Sequence, residues 1–151
     1  MDEMKVGVVG LGKLGLPLCL IFCRAGMEVL GVDVNPIVIS KVEERKKTKN
    51  VRLFQEPNID EYIENYGDRL HVSTDFRILK DAIAVFVITQ TPSLPSGRFD
   101  LSHVEDAVRR LHEISSDISI AVSSNINIGD IAELRKIHRH ICYNPEFIAQ
   151  G

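Results

Sequence analysis

Several residue types are scarce in this 151-residue sequence, which has no tryptophan, only 6% aromatic residues and three cysteines. Cys19, Cys23 and Cys142 are odd in number and lack the spacing of a metal-binding motif. Cys19 and Cys23 would lie one turn apart on an apolar helix, so we expect buried free thiols in a reducing compartment rather than a disulfide or a metal centre. His138 and His140 add only two candidate ligands, and we interpret them as a solvated pair.

The sequence also has no large excess of positive or negative charge, because its 18 Lys and Arg and 21 Asp and Glu give a net charge of only −3. This balance does not indicate nucleic acid or an anionic membrane as a partner. The sequence shows no long apolar run and no charged-then-apolar leader, so we expect a cytoplasmic protein without a signal peptide or membrane span. The 44% apolar content is typical of one globular domain with a sizeable core.

Short apolar, β-branched runs alternate with helical patterns along the chain. Strands are predicted at 4–10, 27–34, within 70–76, 82–89, 118–125 and 140–145. Helices are predicted at 16–26, from 36 onward, from 57 or 58 to about 67, at 102–114 and at 129–137. The alternation predicts the α/β class, with a Rossmann-like, doubly wound and mostly parallel sheet that forms a single domain over 1–151.

Two polar segments interrupt this pattern. The charge run at 43–49 is interpreted as a solvated face or loop rather than a binding patch. The segment 91–101 is the longest polar break, and such breaks are typical of functional loops.

The motif GLGKLG places Gly10, Gly12 and Gly15 between the first predicted strand and the first predicted helix. At this spacing the first glycine permits a tight turn, the second lets the backbone approach a pyrophosphate, and the third allows close helix–strand packing. Asp33 ends the second strand about 20 residues later, where a carboxylate accepts hydrogen bonds from ribose hydroxyls and repels a 2′-phosphate. The combination predicts binding of NAD rather than NADP, and the alternative is a glycine-rich turn without a ligand.

Basic side chains near this motif leave some use of NADP open, since one of them could pair with a 2′-phosphate. They are Lys13, Lys41, Arg45 and Lys46. Lysines on an exposed helix face are usually solvated, so NAD remains the expected cofactor.

Further stretches narrow the class: GLGKLGLPL with GVDVNP, then QEPNIDEYI, TQTPSLPSGRFDLSHVEDAV and YNPEFIAQG. In this order they resemble the N-terminal domain of the UDP-sugar 6-dehydrogenases, the UDP-glucose and UDP-N-acetylmannosamine dehydrogenase family, over nearly the whole chain. The resemblance implies an NAD-dependent oxidation of a sugar C6 alcohol to a carboxylate in two hydride transfers. It also implies a UDP-sugar substrate and a homodimer for a full-length family member.

The resemblance implies roles for individual residues. The glycine loop, with Lys13 and Leu14, would hold the pyrophosphate, although the family usually has an aromatic residue at the position of Lys13. Asp33 would hold the adenosine ribose, and Thr91 would line the NAD site. Glu146 is similar to the carboxylate that activates water during thioester hydrolysis, a role that requires a pKa near neutrality. Judged from the residues alone, Glu146 could equally be an acid at a helix N-terminus.

Other positions depart from the family pattern. Ser124-Asn125 stands where the family has Ser-Thr, so a different polar group is present where a threonine hydroxyl would position water. Asn127 replaces a proline, and Gln150 replaces a second carboxylate, which leaves an amide that cannot act as a base. We predict a catalytic role for Asn125 beside Glu146, and we place Ser124 and Gln150 among the cofactor-binding residues.

Family enzymes continue into a dimerisation segment and a second α/β domain, which supplies the catalytic cysteine and a lysine. None of the three cysteines here lies in the family's glycine-rich cysteine motif. We therefore expect the 151-residue chain to bind NAD without oxidising UDP-sugars.

Two other classes remain as alternatives. A nucleotide-sensing module of the kind that gates channels and transporters explains the glycines and Asp33, but it does not explain the QTP and NPEF segments. A hydroxyacid dehydrogenase of the 6-phosphogluconate type shares the opening architecture. That class often prefers NADP through an arginine after the second strand. This chain has Val34 and Asn35 there, which argues against the class.

Overall fold

The structure is a computed structural model that describes residues 4–53 and 58–146, and in these ranges six parallel strands form one sheet. The strands are β1 Lys5–Val9, β2 Glu28–Val32, β3 Leu70–Ser73, β4 Ala84–Val87, β5 Ser119–Val122 and β6 Ile141–Tyr143. They lie in the order β3-β2-β1-β4-β5-β6, which confirms the predicted doubly wound arrangement. Their apolar, β-branched composition suits strands that are covered on both faces.

Helices cover both faces of the sheet, and each face has its own hydrophobic core. Successive residues of β1 belong to these two different cores. Val8 packs with Leu20 and Ile63 on one face, whereas Val9 packs with Leu111 and Leu134 on the other. The helices are α1 Gly15–Arg24, α2 Pro36–Lys47, α3 Ile59–Tyr66, α4 Ser102–Ile114 and α5 Asp130–Ile137, with 3₁₀ helices at Gly67–Arg69 and Phe76–Asp81. Helices α1, α2 and α3 belong to the first core, and α4 and α5 belong to the second.

The short strand predicted within 70–76 is confirmed as β3, and it is followed by a 3₁₀ helix. Asp75 accepts a hydrogen bond from the backbone N–H of Arg77 at 2.9 Å and caps the 3₁₀ helix Phe76–Asp81. This local turn ends the strand before Phe76, whose side chain enters the core beneath α4.

The prediction of a solvated charge run at 43–49 is wrong at Arg45, because α2 continues to Lys47 and buries this side chain against α3. Arg45 Nε donates to Asp60 at 3.0 Å, and Nη2 donates to Glu64 at 2.9 Å. The Arg45 side chain is only 4% exposed. It therefore connects two helices that the charge pattern alone did not associate.

The interpretation of a solvated histidine pair is also wrong for one member. His138 is buried, with Nε2 at 2.6 Å from the carbonyl oxygen of Ile118, whereas His140 is exposed. Its Nδ1 lies 3.3 Å from Nδ1 of His112 on α4, so both ring nitrogens of His138 have a polar partner inside the protein.

Cys19 and Cys23 are buried free thiols, as predicted, while Cys142 is exposed on β6. Burial raises the pKa of Cys23 to about 12. Within 4–53 and 58–146, no group of three or more His, Cys, Asp or Glu side chains is placed to hold a metal. Over the same ranges, no helix is both long enough and apolar enough to cross a membrane.

Candidate functional site at the carboxyl ends of the strands

A cleft of about 950 Å³ lies at the carboxyl ends of β1, β2, β4 and β5. The cleft crosses the ends of the neighbouring strands β1 and β4, where the strand order reverses and the connections leave toward opposite faces of the sheet. Open parallel sheets bind their ligands in the crevice at this point. Its lining includes Gly10, Gly12, Lys13, Leu14, Gly15, Asp33, Thr91, Ser124, Asn125 and Glu146. The structure thus brings together every predicted site residue that it describes, and Gln150 lies outside the described residues.

The three motif glycines meet different surroundings. A Cβ at Gly10, whose φ is +97°, would lie 2.2 Å from the Ile88 carbonyl oxygen, and a Cβ at Gly15 would lie 1.7 Å from the Gly10 carbonyl oxygen. A Cβ at Gly12 would meet no protein atom within 4 Å. Gly10 and Gly15 are therefore required by packing, whereas Gly12 leaves space in the cleft for a ligand.

The N-terminus of α1 opens into the same space. Leu14 at the N-cap makes no side-chain capping bond, and the first turn of this 10-residue helix contains no acidic residue. The first N–H groups of a helix have no partner within it, and together they carry partial positive charge. Lys13 adds an exposed cation to the loop. An anionic group such as a pyrophosphate fits this position.

Asp33 follows β2 and is held rigidly by two backbone groups. Its Oδ2 accepts from the Leu11 N–H at 2.8 Å, and its Oδ1 accepts from the Asn35 N–H at 2.9 Å. A carboxylate has further lone pairs on both oxygens, so the half-buried side chain can still accept hydrogen bonds from a sugar. Val34, which is 64% exposed, continues the wall of the cleft.

Ser124 uses its hydroxyl inside the protein. Its Oγ accepts from the Thr89 N–H at 2.8 Å and donates to the Thr89 carbonyl oxygen, also at 2.8 Å. This pairing fixes the end of β4 against the end of β5. Thr91 and Asn125 follow these two strand ends, and Thr91 is half-buried whereas Asn125 is exposed.

Glu146 lies on the same side of the cleft and is half-buried. The segment before it is tied to β5, since the Asn144 N–H donates to the Val122 carbonyl oxygen at 2.8 Å. Glu146 follows β6, the neighbour of β5, and therefore lies toward the opposite edge of the sheet from Asp33, which follows β2.

Sequence reasoning missed part of the wall formed by α4. His103, Asp106 and Ala107 line the cleft, together with Phe76. The spacing of His103, Asp106 and Ala107, three and four residues, places them on one face of α4.

The fold and the cleft together define a dinucleotide-binding domain, because a phosphate cradle and a fixed carboxylate occur at the point where such folds bind nucleotides. Comparison with known proteins makes this class specific. The UDP-glucose/GDP-mannose dehydrogenase family, NAD binding domain, matches residues 4–151, and the chain belongs to this family. It is thus an NAD-binding domain of the kind found in UDP-sugar dehydrogenases.

Individual relatives agree with this assignment. The chain is 32% identical over 137 residues to a UDP-N-acetyl-D-mannosamine dehydrogenase of Pyrococcus horikoshii, covering 89% of this chain and 31% of that protein. It is 29% identical over 165 residues to a UDP-glucose 6-dehydrogenase of Haloferax volcanii, and the match covers 98% of this chain and 37% of that protein. The solved structure of a UDP-D-ManNAc dehydrogenase from Pyrococcus horikoshii superposes on this chain with a TM-score of 0.84 at 26% identity. The superposition covers 98% of this chain and 37% of that one. The chain therefore spans about a third of the length of these relatives.

Proposed function

We propose that the cleft holds NAD with the glycine loop and the α1 N-terminus at the pyrophosphate and Asp33 at the adenosine ribose. Thr91, Ser124 and Gln150 would then belong to the nicotinamide half of the site. The observation that carries this proposal is the open space at Gly12 in front of an uncapped helix N-terminus. Neither feature is needed for packing, and both suit a bound anion.

We propose further that the chain forms the cofactor half of a UDP-sugar 6-dehydrogenase. NAD accepts hydride when it is bound, and the protein supplies the groups that handle protons and water. Glu146 would act as the base that activates water during thioester hydrolysis, and Asn125 would position that water. Support comes from their common place in the cleft and from the activities named for the relatives.

Among the lining residues that the structure describes, the cleft has no cysteine. Cys19 and Cys23 are buried within α1, and the raised pKa of Cys23 keeps it protonated at neutral pH. Cys142 lies on β6 and does not line the cleft. A thiolate is the species that attacks a carbonyl carbon, so we propose that these 151 residues bind NAD without completing sugar oxidation.

The test is calorimetric titration of the chain with NAD, repeated for Gly12→Val. The added side chain would occupy the ligand space, and we expect NAD affinity to fall by roughly tenfold or more, equivalent to about 1.4 kcal/mol. The melting temperature without NAD should change little, because the new Cβ meets no protein atom.

Ser40→Val is the matched control, since Ser40 is exposed on α2 and does not line the cleft. It should bind NAD as the parent chain does. Equal NAD affinity in Gly12→Val and the parent chain would overturn the proposed placement of the pyrophosphate.

A further inference from the structure

A buried carboxylate connects two loops beside the cleft. Asp130 is the first residue of α5 and is only 6% exposed. Its Oδ1 accepts from Arg98 Nη2 at 2.7 Å, across 32 residues of sequence. Its Oδ2 accepts from the Asn127 N–H at 2.7 Å. Hydrogen bonds to a charged acceptor are about twice as strong as neutral ones, so this carboxylate anchors both partners.

Asn127 strengthens the connection from the other direction. Its Oδ1 accepts from the Phe99 N–H at 2.9 Å, and its Nδ2 donates to Asp130 Oδ2 at 2.5 Å. The side chain therefore bridges the loop after β4 and the loop after β5. A proline at this position, which the family pattern has, would offer neither hydrogen bond.

The loop that Arg98 belongs to is a closed unit. Ser93 and Phe99 form an antiparallel bridge, and the Asp100 N–H donates to the Pro92 carbonyl oxygen at 2.8 Å. Because these bonds make 92–100 a compact turn, a fixed Arg98 also fixes the position of Pro92, where the loop begins. Thr91 directly precedes Pro92 and lines the cleft.

The second loop also reaches the cleft. Asn125 lines it and lies two residues before Asn127. Both anchored loops therefore follow β4 and β5, on the side of the cleft away from Asp33.

We infer that Asp130 is a positioning residue that fixes Thr91 and Asn125 on the wall facing the nicotinamide half of the cofactor, through Arg98 and Asn127. This inference rests on the proposed placement of NAD. It assigns Asp130 a role in cofactor affinity that its position at a helix start would not indicate.

The test compares NAD with ADP-ribose, which has the adenosine and pyrophosphate but lacks nicotinamide. Arg98→Ala is the main variant, because Arg98 is 59% exposed and its loss leaves Asp130 bonded to Asn127. Calorimetry should show NAD affinity reduced by about fivefold or more, in line with loss of a charged hydrogen bond, and ADP-ribose affinity within about twofold of the parent. Arg98→Lys, which keeps the charge, should restore most of the NAD affinity.

Arg77→Ala is the control, because it also removes an exposed arginine paired with an aspartate after a strand, but outside the cleft. It should leave both affinities unchanged. Equal losses for NAD and ADP-ribose in Arg98→Ala would show a purely structural role and overturn the inference, as would no loss of either. Failure of the parent chain to bind either ligand would instead overturn the proposed function, and the inference with it.

Discussion

Asp33 shows how one side chain can serve both the fold and the ligand. Its two carboxylate oxygens hold the Leu11 and Asn35 N–H groups, so the glycine loop and the start of α2 are fixed relative to each other. The same charge faces the cleft, where it would accept hydrogen bonds from ribose hydroxyls and repel a 2′-phosphate. The proposed preference for NAD over NADP would therefore depend on a group that is already held in place.

Asp33→Asn should reduce the preference for NAD over NADP. The amide has one oxygen acceptor and no charge, so NAD loses a charge-assisted hydrogen bond and NADP loses a repulsion. We expect the ratio of NAD to NADP affinity to fall by roughly tenfold, measured by titration with each cofactor.

Asp75→Asn is the matched control, because Asp75 also follows a strand and accepts the N–H two residues later. It does not line the cleft, so it should leave the ratio unchanged. If Asp33→Asn left the ratio of NAD to NADP affinity unchanged, Asp33 would not determine the cofactor preference.

At the scale of elements, α2 and α3 are held together by a buried cation between two acids. Arg45 pairs with Asp60 and Glu64, and Lys49 also donates to Glu64 at 2.9 Å. The hydrogen bonds from Lys49 and Arg45 hold the pKa of Glu64 below its ordinary value of 4.5. The ionised form of this side chain therefore stabilises the helix pair, and its protonation weakens the pair.

This predicts a specific acid sensitivity. A carboxyl group whose pKa is lowered by folding stabilises the native state above its ordinary pKa, and the contribution is lost as pH falls through the folded value. Glu64→Gln should be less stable than the parent chain at neutral pH, and the difference should shrink as the pH falls below the ordinary Glu pKa of 4.5 and through the lowered folded value. Urea unfolding across this pH range measures the effect.

Glu133→Gln is the comparison variant, because Glu133 is an exposed acid paired with Lys136 within α5. Its stability difference from the parent should stay small at every pH. A Glu64→Gln difference that does not change with pH would contradict the assigned role of the ionised carboxylate.

At the scale of the whole molecule, the sheet order places the glycine loop, Asp33 and Glu146 around one cleft although they lie far apart in sequence. The connections from β1 and β4 leave toward opposite faces, which opens the crevice between them. Within 4–53 and 58–146, no cysteine lines this crevice, and the chain spans about a third of the length of its relatives. The proposed cofactor site would therefore lack a thiol nucleophile among the residues that the structure describes.

We expect these 151 residues to be stabilised by NAD yet to form no NADH from UDP-glucose or UDP-N-acetylmannosamine. Ligand at about 100 times its dissociation constant should add about 2.7 kcal/mol to the unfolding free energy, visible as a higher melting temperature. NADH absorbance measures turnover, with the Haloferax volcanii UDP-glucose 6-dehydrogenase assayed in parallel. NADH formation above the protein-free blank would contradict the prediction.

The sequence by itself determined the class of fold, the glycine loop and the carboxylate after β2. These features are local, because a strand, a turn and a helix follow one another within a few residues and each leaves its own periodicity. The cleft around Gly12 and Asp33 could be predicted for the same reason. The family resemblance extended this to Thr91, Asn125 and Glu146, which now lie together in the cleft.

Only the tertiary structure decided which polar residues are buried. Arg45 lies in a charge run, His138 lies beside an exposed histidine, and Asp130 begins a helix; only for Arg45 and His138 did the local pattern predict a solvated side chain. Their partners are Glu64, Ile118 and Arg98, at separations of 19, 20 and 32 residues. A buried polar group is stable only when such a partner is supplied. That partner is brought into place by the packing of whole elements, which no local sequence pattern encodes.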